Sequence, residues 1–247
     1  MVPTLTADDV RAALALRADP YYAESLARFF QTHPGGYGEG DVFLGVRVPV
    51  VRAVAKEHTG LAWSEVRDLL DDDEHEHRFA ALAMAVDAFR RALRPRSRDD
   101  ALRKQLHELY LDAVHAGCVN SWDLVDVSAE WLVGEHLRTE GAGTALVMEL
   151  VGEQDLWRRR VGIIATFAHI KAGASAPTFA AASAVIDDRR DLIQKASGWM
   201  LREVGKRIDR AALVDHLTEH ASRMGRTALS YATEQLDADL RAQLRAL

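Results

Sequence analysis

The stretch SWDLVDVS, beginning at Ser121, puts a tryptophan and two aspartates into one short helical run. Trp122 and Asp126 are four residues apart, so on a helix they sit one above the other on the same side. Leu124, Val125 and Val127 supply apolar surface around them, so the Asp126 carboxylate is expected to border a dry region, where it needs a partner or a job. Trp157 and Arg160 share a helix face, as do Trp199 and Arg202, each pair three residues apart. If stacked helices align these faces, one surface holds three tryptophans, two arginines and one carboxylate. Tryptophan faces and a carboxylate both attract cations, and guanidinium groups attract phosphate. For any one tryptophan, core packing is the competing reading, and Asp126 could equally be a structural partner of Arg160.

The elements that would carry these residues are all helical. Segments such as HRFAALAMAVDAFRRAL, ALRKQLHELYLDAVHAG, LWRRRVGIIATFAHIKAG and DLIQKASGWMLREVGKRI repeat apolar residues at i, i+3, i+4 and i+7. Breaks at Gly60, Pro95, Gly117, Gly141 to Gly143, Gly173 to Pro177 and Gly225 cut the chain into about a dozen short helices. DLWRRRVGIIATFAHIKAG and DLIQKASGWMLREVGKRI share Asp-Leu, a basic cluster, an apolar face and a glycine, and SWDLVDVSAEWLVGEHL reads as a third, more diverged copy. Recurring helix pairs of this kind predict an all-α fold, an α-solenoid that stacks its helix pairs. With no linker in the sequence, residues 1–247 are read as a single domain.

THPGGYGEGDVFLGVRVP is the exception, a Gly-rich loop between the second and third helices. No strand precedes its glycines and no Gly-Lys-Ser/Thr follows, so a surface loop is expected rather than a nucleotide site. EHEHR, from Glu74 to Arg78, points its two histidines to different sides of a helix and reads as solvated charge, with no metal expected. HExxH, GxSxG and Walker signatures do not occur.

Composition sets outer limits. The 247 residues carry a formal charge of −6, yet residues 1–151 have 16 basic and 25 acidic side chains whereas residues 152–247 have 15 and 12. The later part is therefore net positive and has basic runs at Arg158 to Arg160, Arg189 with Arg190, and Lys206 with Arg207. A polyanion partner is compatible with such a local surface, although solvated helix faces explain it as well. The single cysteine, Cys118, excludes an internal disulfide and is read as packing. With no signal-like start and no apolar run of membrane length, a cytoplasmic location is expected.

GVRVPVVRAVAKE, SWDLVDVSAEWLVGE, DLWRRRVGIIATFAHIKAG and DLIQKASGWMLREVGKR together resemble the bacterial DNA alkylation repair family, the AlkD-type DNA glycosylases, from about Tyr22 to about Ala232. The resemblance implies HEAT-like repeats curved around duplex DNA. It further implies excision of cationic bases such as 3-methyladenine and 7-methylguanine. Trp122, Asp126, Arg160 and Trp199 match the family's active-site positions, and Arg202 a position that contacts the DNA backbone. Trp157, Arg158, Arg159, Lys195 and Lys206 are the further candidates for contacting DNA. Phe29 stands where a branch of the family has tyrosine, and the PGGYGEGD loop is an addition.

An N-alkylated purine is already cationic and leaves without a general acid, so the chemistry needs a carboxylate opposite the oxocarbenium-like sugar, a role that falls to Asp126. Trp122 and Trp199 would hold the cationic nucleotide, and Arg160 would hold a phosphate and keep Asp126 ionised. Lys195 reads as a phosphate contact and not a nucleophile, so the expected enzyme is monofunctional. It is expected to use no cofactor, to act as a monomer on double-stranded DNA containing alkylated bases, to leave an abasic site, and to associate with the nucleoid when bound. The rival expectations are a non-catalytic DNA-binding solenoid and a protein-interaction scaffold.

Overall fold

The computed structural model describes residues 5–247. Among these residues every regular element is a helix, and the one β-type contact is an isolated bridge between Val42 and Glu74. The all-α class expected from the periodicity is therefore what the chain adopts. The helices form two compact units, the first ending at Ser128 and the second beginning at Ala129. The division falls inside the SWDLVDVSAEWLVGEHL run, where no loop marks it.

The first unit contains α1 (Ala7–Ala15), α2 (Pro20–Phe29), α3 (Val48–Glu57), α4 (Trp63–Leu70), α5 (His75–Ala92), α6 (Asp100–Ala116) and most of α7 (Trp122–Ala129). Helix α5 is its centre and packs against α1, α3, α4 and α6. Its run FAALAMAV is apolar all round, and each of those residues is buried, which suits a helix enclosed by others. Asp99 caps α6 by accepting from the Leu102 N–H at 2.9 Å, and Gly117 ends the helix in the left-handed region at φ 83°.

Helix α2 has no buried residue and is held by its two ends. The Asp19 side chain caps its start through the Tyr21 and Tyr22 N–H groups, while the Asp19 N–H donates to the Leu44 carbonyl at 3.1 Å. Its other end rests in the Gly-rich loop. The Tyr37 hydroxyl donates to the Phe29 carbonyl at 3.1 Å, and Gly36 approaches Gln31 so closely that a Cβ would lie 1.9 Å from the carbonyl oxygen. The loop thus cradles the C-terminus of α2.

EHEHR does not behave as solvated charge. His75, Glu76, His77 and Arg78 are all buried; His75, Glu76 and Arg78 anchor the loop segment that precedes α3, and His77 faces Asp72 and Glu74 in the turn before α5. The Glu76 carboxylate accepts from the backbone N–H groups of Leu44, Gly45 and Val46 at 2.9 to 3.0 Å. His75 lies between two carboxylates, with Nδ1 2.8 Å from Asp41 and Nε2 2.9 Å from Asp123, and Arg78 also binds Asp41. Burial disfavours the imidazolium, but the hydrogen bonds and charges of Asp123 and Asp41 outweigh it and push the His75 pKa up to about 9.

In the second unit, a π-helical segment (Glu130–Glu135) continues the chain from α7 and leads into α8 (His136–Glu140). There follow α9 (Ala145–Gly152), α10 (Leu156–Lys171), α11 (Ala176–Ala184), α12 (Asp191–Arg207), α13 (Arg210–His220), α14 (Arg226–Ala232) and α15 (Ala238–Ala246). The π-helical segment, α10, α12 and α14 pack in succession, while α9 and α11 pack against one another as well as against α10. Each of the three similar segments has a glycine in the same use, Gly162 and Gly198 at matching positions after Asp-Leu and Gly134 four residues later in its segment. Gly134 meets Ala165, Gly162 meets Val151, and Gly198 meets Ala228, each at a distance no side chain tolerates. These are the points of closest approach between neighbouring helices, and they explain why the segments keep a glycine among good helix formers.

Two outcomes follow for stability. Gly134→Ala would put a Cβ 2.0 Å from the Ala165 carbonyl oxygen; overpacking of this kind costs about 1–3 kcal/mol, and a melting curve should show a loss of several degrees. Because the folded His75 pKa lies above its ordinary value of 6.5, its contribution is fully present below pH 6.5 and is lost as pH rises through 9. Denaturant titrations from pH 6.5 to 9.5 should record a decline of about 3 kcal/mol in the wild type. His75→Gln should begin less stable and lack that slope.

Candidate active site

Trp122 is the first residue of α7, and its ring is half-buried against the end of α2. Phe30 stacks on it with centroids 5.3 Å apart and planes 7° from parallel, and Phe29 meets it edge-on at 6.2 Å. Phe30 in turn packs against Phe43 at 4.9 Å, and Phe43 stacks on His75 at 4.4 Å. One face of Trp122 is therefore fixed by a buried aromatic column. Phe29, 61% exposed, is the outer member of the group. Trp122 and Phe29, which the sequence singled out separately, come together here, with the Phe29 carbonyl held by the loop.

The two carboxylates of WDLVD have separate environments. Asp123 is spent on His75, and although burial favours its neutral form, the His75 imidazolium holds its pKa below the usual carboxylate range. Asp126, one turn further along α7, is half-buried, and its charge acts on the fully buried Tyr110 of α6. Burial suppresses ionisation of the Tyr110 phenol, its hydrogen bond to Ser128 counters this, and the Asp126 charge adds to the suppression. The Ser128 Oγ lies 2.9 Å from the Tyr110 hydroxyl and donates to the Leu124 carbonyl at 2.5 Å, which ties the middle of α7 to α6. Asp126 thus stands on a helix that is tied to α6. Cys118 is half-buried, with its thiol 3.3 Å from an Asp71 oxygen; burial and that carboxylate push the thiol pKa up, the opposite of an activated nucleophile.

In the second unit, Trp157 and Arg158 open α10, where Asp155 caps both of their N–H groups at 2.9 Å. Arg160 is only 4% exposed, and its Nη1 donates to the Leu192 carbonyl at 2.6 Å, so α10 is fastened to the start of α12. Arg158 pairs with Glu153 at 3.2 Å and Arg159 with the buried Asp188 at 2.6 Å. Burial favours the neutral form of Asp188, but hydrogen bonds from Arg190 and Arg159 override it and hold its pKa at about 2. On α12, Lys195 pairs with Asp191 at 2.7 Å, Arg202 binds Glu234 and lies 3.5 Å from Glu203, and Lys206 is exposed. Trp199 is half-buried and meets Phe167 of α10 at 6.1 Å.

That contact leads to residues which sequence reasoning missed. The Lys171 ammonium lies 4.6 Å from the Phe167 ring centroid and 5.3 Å from that of Trp131, and pairs with Glu130 at 2.5 Å. Arg207 covers Phe167 as well, at 5.2 Å. Trp131, Lys171, Phe167, Arg207 and Trp199 form a continuous run of aromatic and cationic side chains. Its signal in the sequence is weak, since Trp131 lies on the π-helical segment, whose phase no 3.6-residue pattern follows.

No curated protein sequence matches this chain. Among solved structures, the fold is similar to that of a predicted DNA alkylation repair enzyme from Enterococcus faecalis, with a TM-score of 0.67 and 16% sequence identity over 90% of this chain and 98% of the other. The family model described as DNA alkylation repair enzyme matches residues 10–236, a span that takes in the segments bearing Trp122, Asp126, Arg160, Trp199 and Arg202. The chain belongs to the DNA alkylation repair enzyme family.

Proposed function

We propose that the protein is a monofunctional DNA glycosylase that releases cationic N-alkylated purines, such as 3-methyladenine and 7-methylguanine, from duplex DNA. The observation that carries this reading is the placement of a carboxylate beside a supported tryptophan on α7. Trp122 is stacked on Phe30, and the half-buried Asp126 lies one helical turn further along, on a helix tied to α6 through Ser128 and Tyr110. The family match across residues 10–236 supports treating both units as one functional domain of HEAT-like repeats.

In this mechanism the N-glycosidic bond breaks with both electrons passing to the purine, whose positive charge they neutralise. Asp126 stabilises the cation left on the sugar, water adds to C1′, and the proton of that water passes to Asp126 and on to solvent. Trp122, stacked on Phe30, offers a fixed π face to the cationic nucleotide, and Trp199 is assigned the same work in the second unit. Arg160, fastened to the Leu192 carbonyl, is assigned to positioning a phosphate, and Arg202 and Lys206 to the DNA backbone. No lysine is given the part of nucleophile. The protein acts as a monomer in the cytoplasm, on nucleoid DNA; no helix among the described residues is long and apolar enough to cross a membrane.

A scaffold without catalysis has one observation in its favour: Arg158, Arg159, Lys195 and Arg202 are each already paired with a carboxylate. Release of methylated purines from alkylated duplex DNA separates the two readings. The glycosylase should release base, and Asp126→Asn should slow release by on the order of 100-fold or more while DNA binding persists. Its DNA affinity should fall steeply as salt rises, and borohydride should trap no covalent adduct. Absence of release from the wild type would leave the scaffold reading, and binding indifferent to salt would favour a protein partner.

A further inference from the structure

Where α4 turns into α5, three potential metal-binding side chains converge away from the residues given roles above. One oxygen each from Asp72 and Glu74 and one ring nitrogen of His77 lie within 4.8 Å of one another. The His77 Nδ1 is 3.0 Å from Asp72 Oδ2 and 3.7 Å from Glu74 Oε2. His77 is 5% exposed, and neither of its ring nitrogens makes a hydrogen bond. That is anomalous, because a buried imidazole ordinarily satisfies at least one nitrogen.

At 3.0 Å the Asp72 oxygen is near enough to His77 for a hydrogen bond, so what fails is the direction. Such off-line placement is what metal ligation produces. Ligand atoms about 2.1 Å from a common ion stand about 3.0 to 3.4 Å apart, and each lone pair aims at the ion instead of at its neighbour. Charge is also in surplus. Asp8, Asp68, Asp72, Asp73 and Glu74 gather around the turn, and Arg11 of α1, bonded to Asp8, Asp68 and Asp72, is the cation that answers them. Arg11 takes one lone pair of Asp72 Oδ2 and the Glu74 N–H takes one of Oδ1 at 3.2 Å, which leaves one lone pair on each oxygen for an ion.

We propose that Asp72, Glu74 and His77 form a binding site for one borderline divalent cation, of the Zn2+ class, with water completing its coordination. Two carboxylates and one imidazole suit such an ion. The ion clamps the α4–α5 turn to the first turn of α5, the turn that also carries His75, Glu76 and Arg78. It is a structural site, independent of the glycosylase reading.

The test uses the full chain, stripped by chelator and titrated calorimetrically with Zn2+, with Co2+ visible absorption as the spectroscopic signature. The wild type should bind one equivalent at this site with micromolar affinity and melt at a higher temperature when loaded. His77→Gln and Glu74→Gln should each weaken binding at least about tenfold and lose the Co2+ ligand-field bands. Glu74 has a 36% exposed side chain, so Glu74→Gln keeps the test valid if His77→Gln does not fold. His216 and His220, with ring centroids 4.4 Å apart on α13, are the competing pair, so His216→Ala should leave this equivalent in place. Absence of saturable binding, binding unchanged in both variants at the turn, or binding abolished by His216→Ala would each overturn the proposal.

Discussion

The first unit depends on a buried ionic cluster. Asp41, His75, Arg78 and Asp123 bring four charged groups into a nearly dry space, which is costly unless every charge is met by a partner at short range. Here the partners come from three separate parts of the chain: the loop before α3, the first turn of α5 and the first turn of α7. The gain is positional. Helix α2 buries none of its residues, so packing alone cannot place it. It is placed by the loop, and the loop is placed by His75, Glu76 and Arg78. Trp122 then rests on Phe30 at the end of that series. Removing one charge would leave its partners buried without compensation and would loosen an aromatic column several bonds away.

The second unit solves its positioning differently, through backbone contact. Gly134, Gly162 and Gly198 let neighbouring helices meet at separations where a methyl group would collide with a carbonyl or an amide. Close backbone approach fixes helix rotation more tightly than interdigitated side chains do, because flexible chains can repack whereas peptide groups cannot. Trp199 directly follows one such glycine. The contact of Gly198 with Ala228 fixes the backbone that carries Trp199, and Phe167 meets its ring.

What the sequence displayed and what it concealed follow the same division. Helical class, the loop between α2 and α3 and the kinship of the three similar segments all rest on periodicity and on glycine, which are local signals. Asp126 could be singled out from Asp123 by its spacing from Trp122, whereas the His75 bond that engages Asp123 has no signal in the sequence. The burial of EHEHR was hidden because its partners, Asp41 and Asp123, are 34 and 48 residues from His75. A charged pentapeptide looks solvated until those partners are known. Trp131 was hidden for another reason: the π-helical segment changes the phase of the helix, so counting by 3.6 assigns it the wrong neighbours. The ion pairs that engage Arg159 and Arg202 were equally non-local, with partners 29 and 32 residues away, and counting basic residues overstated the charge available to a phosphate.

That last point bears on how DNA would be recognised. A guanidinium held by a carboxylate offers a phosphate little net positive field, and the phosphate must compete with an anion already in place. Arg159 faces the strongest competition, since Asp188 is buried and strongly ionised. Discrimination in the proposed glycosylase therefore falls to the surfaces that attract cations, namely the Asp126 carboxylate and the tryptophan faces. Both respond to the charge of an alkylated base, and an undamaged base lacks that charge. With cation-selective aromatic surfaces, the protein would be retained where a purine has become positive.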